Sequence, residues 1–340
     1  MTDVGRQART KRSTAIAVAI AAVTLAFVGP VFVAPAQASA ASSTGPRLTV
    51  AKSTMDKALT CTGNLRAGSQ APVLFLHGTT SNSTANWSWN WVRAMNAANR
   101  PHCELDSPNG GTGDIQISAE YVVNAIRTMH KRAGKKISIV GHSQGGMIGR
   151  WALKYWPDTR TMVSDYVGLA SSNHGSTSGN FSCSLHGGCS AATWQQSASS
   201  HFLTALNKGP ETWPDISYTV IATRYDEIVA PATAGFLKPA ANVTNTTVQD
   251  ICPLEFVEHF GMAYDNAAWL VGIDALTHAG PAKVSRVNRS TCGIPTMPSV
   301  DPATFVLDAI AAMAVTVKNS TAAKSLPAEP ALRRYARITS

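Results

Sequence analysis

Apolar residues fall along this chain in two rhythms. Pro72-Val73-Leu74-Phe75-Leu76 and Lys136-Ile137-Ser138-Ile139-Val140 are short, mostly apolar runs, as are Tyr166-Val167-Gly168-Leu169-Ala170 and Tyr218-Thr219-Val220-Ile221-Ala222, and each leads into a turn. Runs of this length and composition predict strands buried on both faces, the kind found in parallel sheets. Between them the period lengthens. Residues 118 to 132 set Val122, Ile126 and Met129 at helical spacing with polar residues between, and Gly145 to Trp156 reads as a second helix stopped by Pro157. A further strand is expected near 246 to 251 and a helix from Met262. Strands alternating with crossover helices pair in parallel, so the pattern predicts an α/β fold: a single, mostly parallel sheet with helices on both faces. No internal repeat or interdomain linker interrupts residues 41 to 340, which read as one domain.

The two ends of the chain break the pattern. Arg6, Arg9, Lys11 and Arg12 precede an apolar run from Thr14 to Val33 that closes on Ala36-Gln37-Ala38-Ser39-Ala40. A basic start, an apolar stretch interrupted by Gly29 and Pro30, and small residues suited to signal peptidase predict a secretory signal over residues 1–40. Cleavage after Ala38 or Ala40 would leave no membrane anchor. Residues 41 to 60, rich in Ser, Thr and Ala, read as a lead-in segment. From Lys318 the chain turns polar, and Arg333-Arg334-Tyr335-Ala336-Arg337 reads as a tail lying on the surface.

Export changes how the cysteines are read. All six, Cys61, Cys103, Cys183, Cys189, Cys252 and Cys292, lie beyond the signal and are bound for an oxidising compartment, which predicts three disulfides. Cys183 and Cys189 enclose Ser184-Leu185-His186-Gly187-Gly188 and are expected to pair with each other. The sequence has no Cys-x-x-Cys pair, no His-x-x-x-His and no dense acidic loop, so neither a metal site nor a cofactor is expected. The formal charge of +9 falls to +6 once residues 1–38, with four basic side chains and one acidic, are removed. The remaining basic residues are scattered, which argues against nucleic acid as a partner.

One short segment carries chemistry. Gly141-His142-Ser143-Gln144-Gly145 joins the strand at 136–140 to the helix that starts near Gly145. A serine hydroxyl is a nucleophile at neutral pH only with a base in reach and a defined, exposed position. A sharp strand-to-helix turn supplies the position, and its crowded backbone explains small residues two before and two after Ser143. In that arrangement an acid and then a histidine follow the serine along the chain, each after a later strand. His77, His102, His130 and His142 come too early, and His174, His186 and His201 precede any strand-end acid. Of the two that remain, His278 has the setting of a helix terminus beside Ala279-Gly280-Pro281. His259, in the loop Phe256-Val257-Glu258-His259-Phe260-Gly261, is the better base. The acid is Asp226 or its neighbour Glu227, which the residues alone do not separate. Oxyanion donors are expected from the backbone N–H groups of Gln144 and Thr79, with the Thr79 hydroxyl as a further donor.

Leu59-Thr60-Cys61, Ser143-Gln144-Gly145-Gly146, Trp194-Gln195-Gln196, Asp226-Glu227-Ile228-Val229, Cys252-Pro253-Leu254, Phe256-Val257 with His259, and Tyr335-Ala336-Arg337 follow one another along the chain. Together they resemble the family of Candida antarctica lipase B and its bacterial relatives, over most of the chain beyond the signal. The resemblance implies an α/β-hydrolase fold with a small cap or lid segment, and Ser143, Asp226 and His259 as a catalytic triad, which selects Asp226 over Glu227. It also implies Thr79 and Gln144 as the oxyanion hole, and disulfides Cys61 to Cys103 and Cys252 to Cys292. His142, Gln196 and Ile228 are the expected substrate-binding residues.

Three departures stand out. His142 replaces a tryptophan of the yeast enzyme, Cys183 and Cys189 have no counterpart there, and the yeast enzyme's C-terminal disulfide is missing. The segment 176 to 206, with Trp194, Phe202, Leu203 and Leu206, lies where a cap over the site is expected, as a lid or a fixed wall.

These readings predict a secreted, monomeric serine lipase or carboxylesterase, cleaving esters from short soluble ones to triacylglycerols through an acyl-enzyme on Ser143. Its partner is an ester or lipid, including lipid at a water interface. Two alternatives stand beside it: an acyltransferase with the same triad, and a non-catalytic binding protein on a hydrolase scaffold. The intact set of serine, acid, histidine and oxyanion residues argues against the last.

Overall fold

Side chains on a strand point alternately to its two faces, and at Val73–Leu76 both faces are buried. Val73 and Phe75 enter one core with Trp87, Trp91 and Val271, while Leu74 and Leu76 enter the other with Ile126, Met129 and Met147. The structure, a computed structural model, describes residues 44–177, 183 and 187–337, so the expected signal over 1–40 lies outside the described residues. In chain order, helix α1 (Lys52–Lys57) leads to strand β1 (Leu59–Thr62), and β2 (Val73–Leu76) leads to α2 (Ser83–Trp87) and α3 (Trp91–Ala97). Then come β3 (His102–Leu105), α4 (Ile115–Ala133), β4 (Ile137–His142), α5 (Gly145–Tyr155) and β5 (Val163–Leu169). Two short helices, α6 (Ala191–Gln195) and α7 (His201–Asn207), precede β6 (Ser217–Ala222) and β7 (Val243–Thr247). The helices α8 (Val248–Ile251), α9 (Asn266–Thr277), α10 (Phe305–Ala322) and α11 (Arg334–Arg337) follow.

The strands form one sheet in the order β1-β3-β2-β4-β5-β6-β7. Every neighbouring pair is parallel except β1 and β3. Side chains of α4, α5 and α7 pack on one face, and those of α3 and α9 on the other. This is the predicted architecture, and α4 illustrates its local causes. Asp114 caps the helix by accepting from the Gln116 N–H at 3.0 Å, and Gly134 ends it at a left-handed φ of 67°. His130, Lys131 and Arg132 occupy the last turn, where the helix dipole favours positive charge.

Four expectations need correction. The lead-in segment is part of the fold: Lys52–Lys57 is helical, and Leu59–Thr62 pairs antiparallel with β3. Its backbone is held at a distance in sequence, because Glu120 accepts from the N–H groups of Thr49 and Val50 and from the Thr49 hydroxyl. The strand expected at 246 to 251 ends at Thr247. There Thr247 and Asp250 form a capping box, with the Thr247 N–H donating to Asp250 at 2.8 Å, and this starts α8 instead.

The C-terminal segment is no surface tail either. Tyr335 packs 5.0 Å from the Tyr155 ring and 5.4 Å from that of Trp156, accepts a hydrogen bond from the Trp151 indole at 3.2 Å, and is followed by the buried Ala336. Amphipathic aromatic residues bury their rings while keeping a polar tip satisfied, and the run of arginines around Tyr335 masked that. The helix expected from Met262 starts at Asn266, capped by Asp265, after a short 3-10 turn at Gly261–Ala263.

Disulfides join Cys61 to Cys103, Cys183 to Cys189 and Cys252 to Cys292. The first links residues directly opposite each other across β1 and β3, fastening an edge strand only four residues long.

Candidate active site

At the carboxyl end of β4 the chain turns sharply into α5, and Ser143 sits at the apex with a φ of 56°. A non-glycine residue in this left-handed region is strained, and such strain gathers at functional turns. The crowding explains the flanking glycines. A Cβ on Gly141 would run into the backbone of Gly145, and a Cβ on Gly145 into the carbonyl of Leu76. The turn is held from the next strand, as the Ser143 N–H donates to the Leu169 carbonyl at 2.8 Å.

Asp226, in the turn after β6, points both carboxylate oxygens at His259 Nδ1, each at 2.9 Å. The same carboxylate accepts from the N–H groups of Ile228 at 3.0 Å and Val229 at 2.6 Å, so converging donors fix its orientation. A carboxylate only accepts, so Nδ1 carries the ring proton and Nε2 is left as the basic nitrogen. Glu227 takes a different partner: its carboxylate accepts from the backbone N–H of His259 at 3.1 Å. Behind this turn the Thr223 hydroxyl donates to the Val257 carbonyl at 2.7 Å, tying the loop of the histidine to the strand of the acid.

His142 is buried beside the serine and donates from Nε2 to the His259 carbonyl at 2.9 Å. Burial pulls its pKa down to about 3, so the ring is neutral and adds no charge next to His259.

Opposite the histidine, three polar residues meet on one oxygen. Thr79 Oγ1 accepts from Gln144 Nε2 and from Gln196 Nε2, each at 2.9 Å. With its acceptor positions used in this way, the hydroxyl proton of Thr79 is left to donate elsewhere. The backbone N–H groups of Thr79 and Gln144 have no intramolecular acceptor among the described residues. Gln196 is anchored in turn, donating to the Ala192 carbonyl at 3.1 Å and accepting from the Ser172 hydroxyl at 2.7 Å. By contrast, the adjacent Gln195 is fully buried and serves the scaffold, bonding Asp114 and the Ile115 N–H.

These groups surround a cavity of about 460 Å³, lined by Thr79, His142, Ser143, Gln196, Ile228 and His259 among others. All three expected substrate-binding residues reach it, and Ile228 is 53% exposed at its rim. Of the expected cap, residues 178–182 and 184–186 lie outside the described residues. Ser176, Thr193 and Gln196 do line the cavity, whereas Phe202, Leu203 and Leu206 turn into the core, Phe202 stacking on Trp151 at 4.1 Å.

Sequence reasoning missed three contributors. Asn86 accepts from the Gly78 N–H at 3.0 Å and shapes the loop of Thr79. Met313 and Thr316 of α10 form part of the cavity wall. No sequence signal marks Asn86, and the apolar spacing that includes Met313 reads as ordinary core.

A mostly parallel sheet with a serine at the strand–helix turn and an acid and histidine on later loops defines an α/β-hydrolase. The chain belongs to the lipase (class 2) family, whose model matches residues 70–263. Lipase B of Pseudozyma antarctica is 27% identical over 246 residues, spanning 69% of this chain and 70% of the relative. The crystal structure of Aspergillus fumigatus lipase B superposes with a TM-score of 0.78 at 26% identity, covering 86% of this chain and 74% of that one. A lipase of Bacillus licheniformis, BlEst2 in its propeptide form, shares the fold at a TM-score of 0.51 and 15% identity, over 66% of this chain and 54% of that one. The chain is accordingly an ester hydrolase of the lipase kind.

Proposed function

We propose that the protein is a secreted serine lipase and carboxylesterase that hydrolyses esters through an acyl-enzyme on Ser143. Ser143 Oγ attacks the ester carbonyl carbon while His259 Nε2 takes the hydroxyl proton, and Asp226 holds the imidazole in the tautomer that can do so. The negative charge on the former carbonyl oxygen is met by the N–H groups of Thr79 and Gln144 and by the Thr79 hydroxyl, whose proton is left free by the two glutamines bonded to its oxygen. The alcohol leaves with the proton from His259. Water then attacks the acyl carbon while giving a proton to the same nitrogen, and the bond from that carbon to Ser143 Oγ breaks as His259 returns the proton to Oγ, which releases the acid and restores the serine. The observation that carries this reading is the two-oxygen approach of Asp226 to His259 Nδ1 beside the cavity that Ser143 lines.

Substrate presented at a lipid surface fits the outer face of α10. Val306, Leu307, Ile310, Met313 and Val317 are each more than half exposed there, and Met313 reaches the cavity. Among the described residues no helix is long and apolar enough to cross a membrane. Release from the cell rests on the signal-like residues 1–40, and the three disulfides suit an oxidising compartment; residues 41–340 would then act as one catalytic domain and as a monomer.

A fluorophosphonate probe should label Ser143, and a series of p-nitrophenyl esters of rising chain length should be cleaved. Ser143→Ala is expected to lower that activity by at least about a thousandfold. Activity surviving in the variant would overturn the assignment.

A further inference from the structure

His259 lies in the loop between α8 and α9, so neither a helix nor a strand holds its backbone. The residue is nevertheless buried, and both of its backbone polar groups are met by side chains from other parts of the chain. Its N–H donates to the Glu227 carboxylate at 3.1 Å, and its carbonyl accepts from His142 Nε2 at 2.9 Å. Among the described residues no backbone N–H reaches that carbonyl, which leaves the His142 imidazole to satisfy it.

His142 stands immediately before the nucleophile, at the end of β4. Its hydrogen bond therefore runs from the strand that carries Ser143 to the loop that carries the base, 117 residues away in sequence. The two imidazole rings lie 5.1 Å apart. Asp226 sets the direction of the His259 ring through Nδ1, whereas His142 grips the backbone on which that ring is mounted. A neutral imidazole has one proton to place. Two oxygens face the ring of His142, the His259 carbonyl at 2.9 Å and Asn86 Oδ1 at 3.2 Å, and the second already accepts from the Gly78 N–H. The closer carbonyl, with no other donor, assigns the proton to Nε2.

We propose that His142 is a positioning residue, whose Nε2–H holds the His259 carbonyl and thereby sets the distance between the base and Ser143. This role rests on Ser143, Asp226 and His259 being the reacting set. Proton transfer needs the serine oxygen within about 2.6–3.2 Å of the basic nitrogen. A displacement of about 1 Å costs about a hundredfold in rate. His142 also lines the cavity, and the two roles separate in kinetics. Positioning acts on kcat, and alike for esters of different alcohols, whereas a wall contact acts on KM and on the preference among alcohols.

Three substitutions separate the Nε2 donor from the ring that carries it. A glutamine amide reaches the place of Nε2, an asparagine amide only that of Nδ1, and phenylalanine fills the space with no donor. On p-nitrophenyl butyrate and ethyl butyrate alike, His142→Phe and His142→Asn are expected to lower kcat about 10- to 100-fold with KM within about twofold of the parent. Labelling of Ser143 by a fluorophosphonate should slow to the same degree. His142→Gln is expected to restore kcat to within about threefold of the parent. Glutamine no better than asparagine, a change confined to KM or to one ester, or parental rates in His142→Phe would each overturn the role. Activity kept by Ser143→Ala would overturn it too, by removing the reacting set itself. A parent that labels at Ser143, with His142 variants that react as fast, would leave the reacting set standing and remove the tether alone.

Discussion

Helices α4 and α10 are nearly the same length, 19 and 18 residues, and stand in opposite relation to the core. α4 buries thirteen residues, including Val122, Ile126 and Met129, and is capped at both ends. α10 buries Ala312 alone. Apart from Phe305 at its first position, which packs on the Trp89 and Tyr264 rings, its inner contacts are largely polar: Asn319 donates to the carbonyls of Thr80 and Ser81 at 3.1 and 3.3 Å, and Asp308 accepts from the Thr304 hydroxyl at 2.7 Å and pairs with Arg93 at 3.7 Å. Val306, Leu307, Ile310, Met313 and Val317 are more than half exposed. Apolar periodicity identifies a stripe on a helix, but what lies opposite decides whether the stripe is a core or a contact surface.

Three substitutions would break or sharpen that contrast. Val122→Asp, which places a charge in the α4 core, should remove about 4 kcal/mol of stability or more, seen as a collapse of the urea unfolding midpoint. Ile310→Asp on the outer face of α10 should leave that midpoint within about 0.5 kcal/mol of the parent. It should nevertheless cut hydrolysis of emulsified triacylglycerol about tenfold while sparing a short soluble ester, since an isoleucine buried at an interface contributes about 1.5–3 kcal/mol. An equal loss on both substrates would refute an interfacial role for this face. The smallest effect is expected from Asn319→Ala, about 1 kcal/mol from the thermal midpoint, with a raised KM for soluble esters because Thr80 is also part of the cavity wall.

The contrast also explains what could be read in the sequence. β2, β4, β5 and β6 were legible because burial on both faces leaves continuous apolar runs, and the order of strands and loops then singled out Ser143 and His259. β1 was not, because it is a four-residue edge strand of alternating half-buried and exposed positions, fastened by Cys61 to Cys103 rather than by a run of apolar residues. Asp226 and Glu227 are adjacent and chemically alike, and only the turn sends one to the imidazole and the other to a backbone N–H. The grouping of Gln144, Gln196 and Thr79 draws on three distant segments, which no local pattern brings together. Tyr335 was hidden by its charged neighbours, and the seat of α10 by a face whose polarity is inverted.

The left-handed backbone at position 143 has an implication for drift. Glycine would adopt that conformation without strain, so Ser143→Gly should fold about 1 kcal/mol more stably than the parent. A lineage selected only to stay folded would therefore tend to lose its serine, while one that keeps Ser143 retains, against its own stability, the hydroxyl that the proposed chemistry requires.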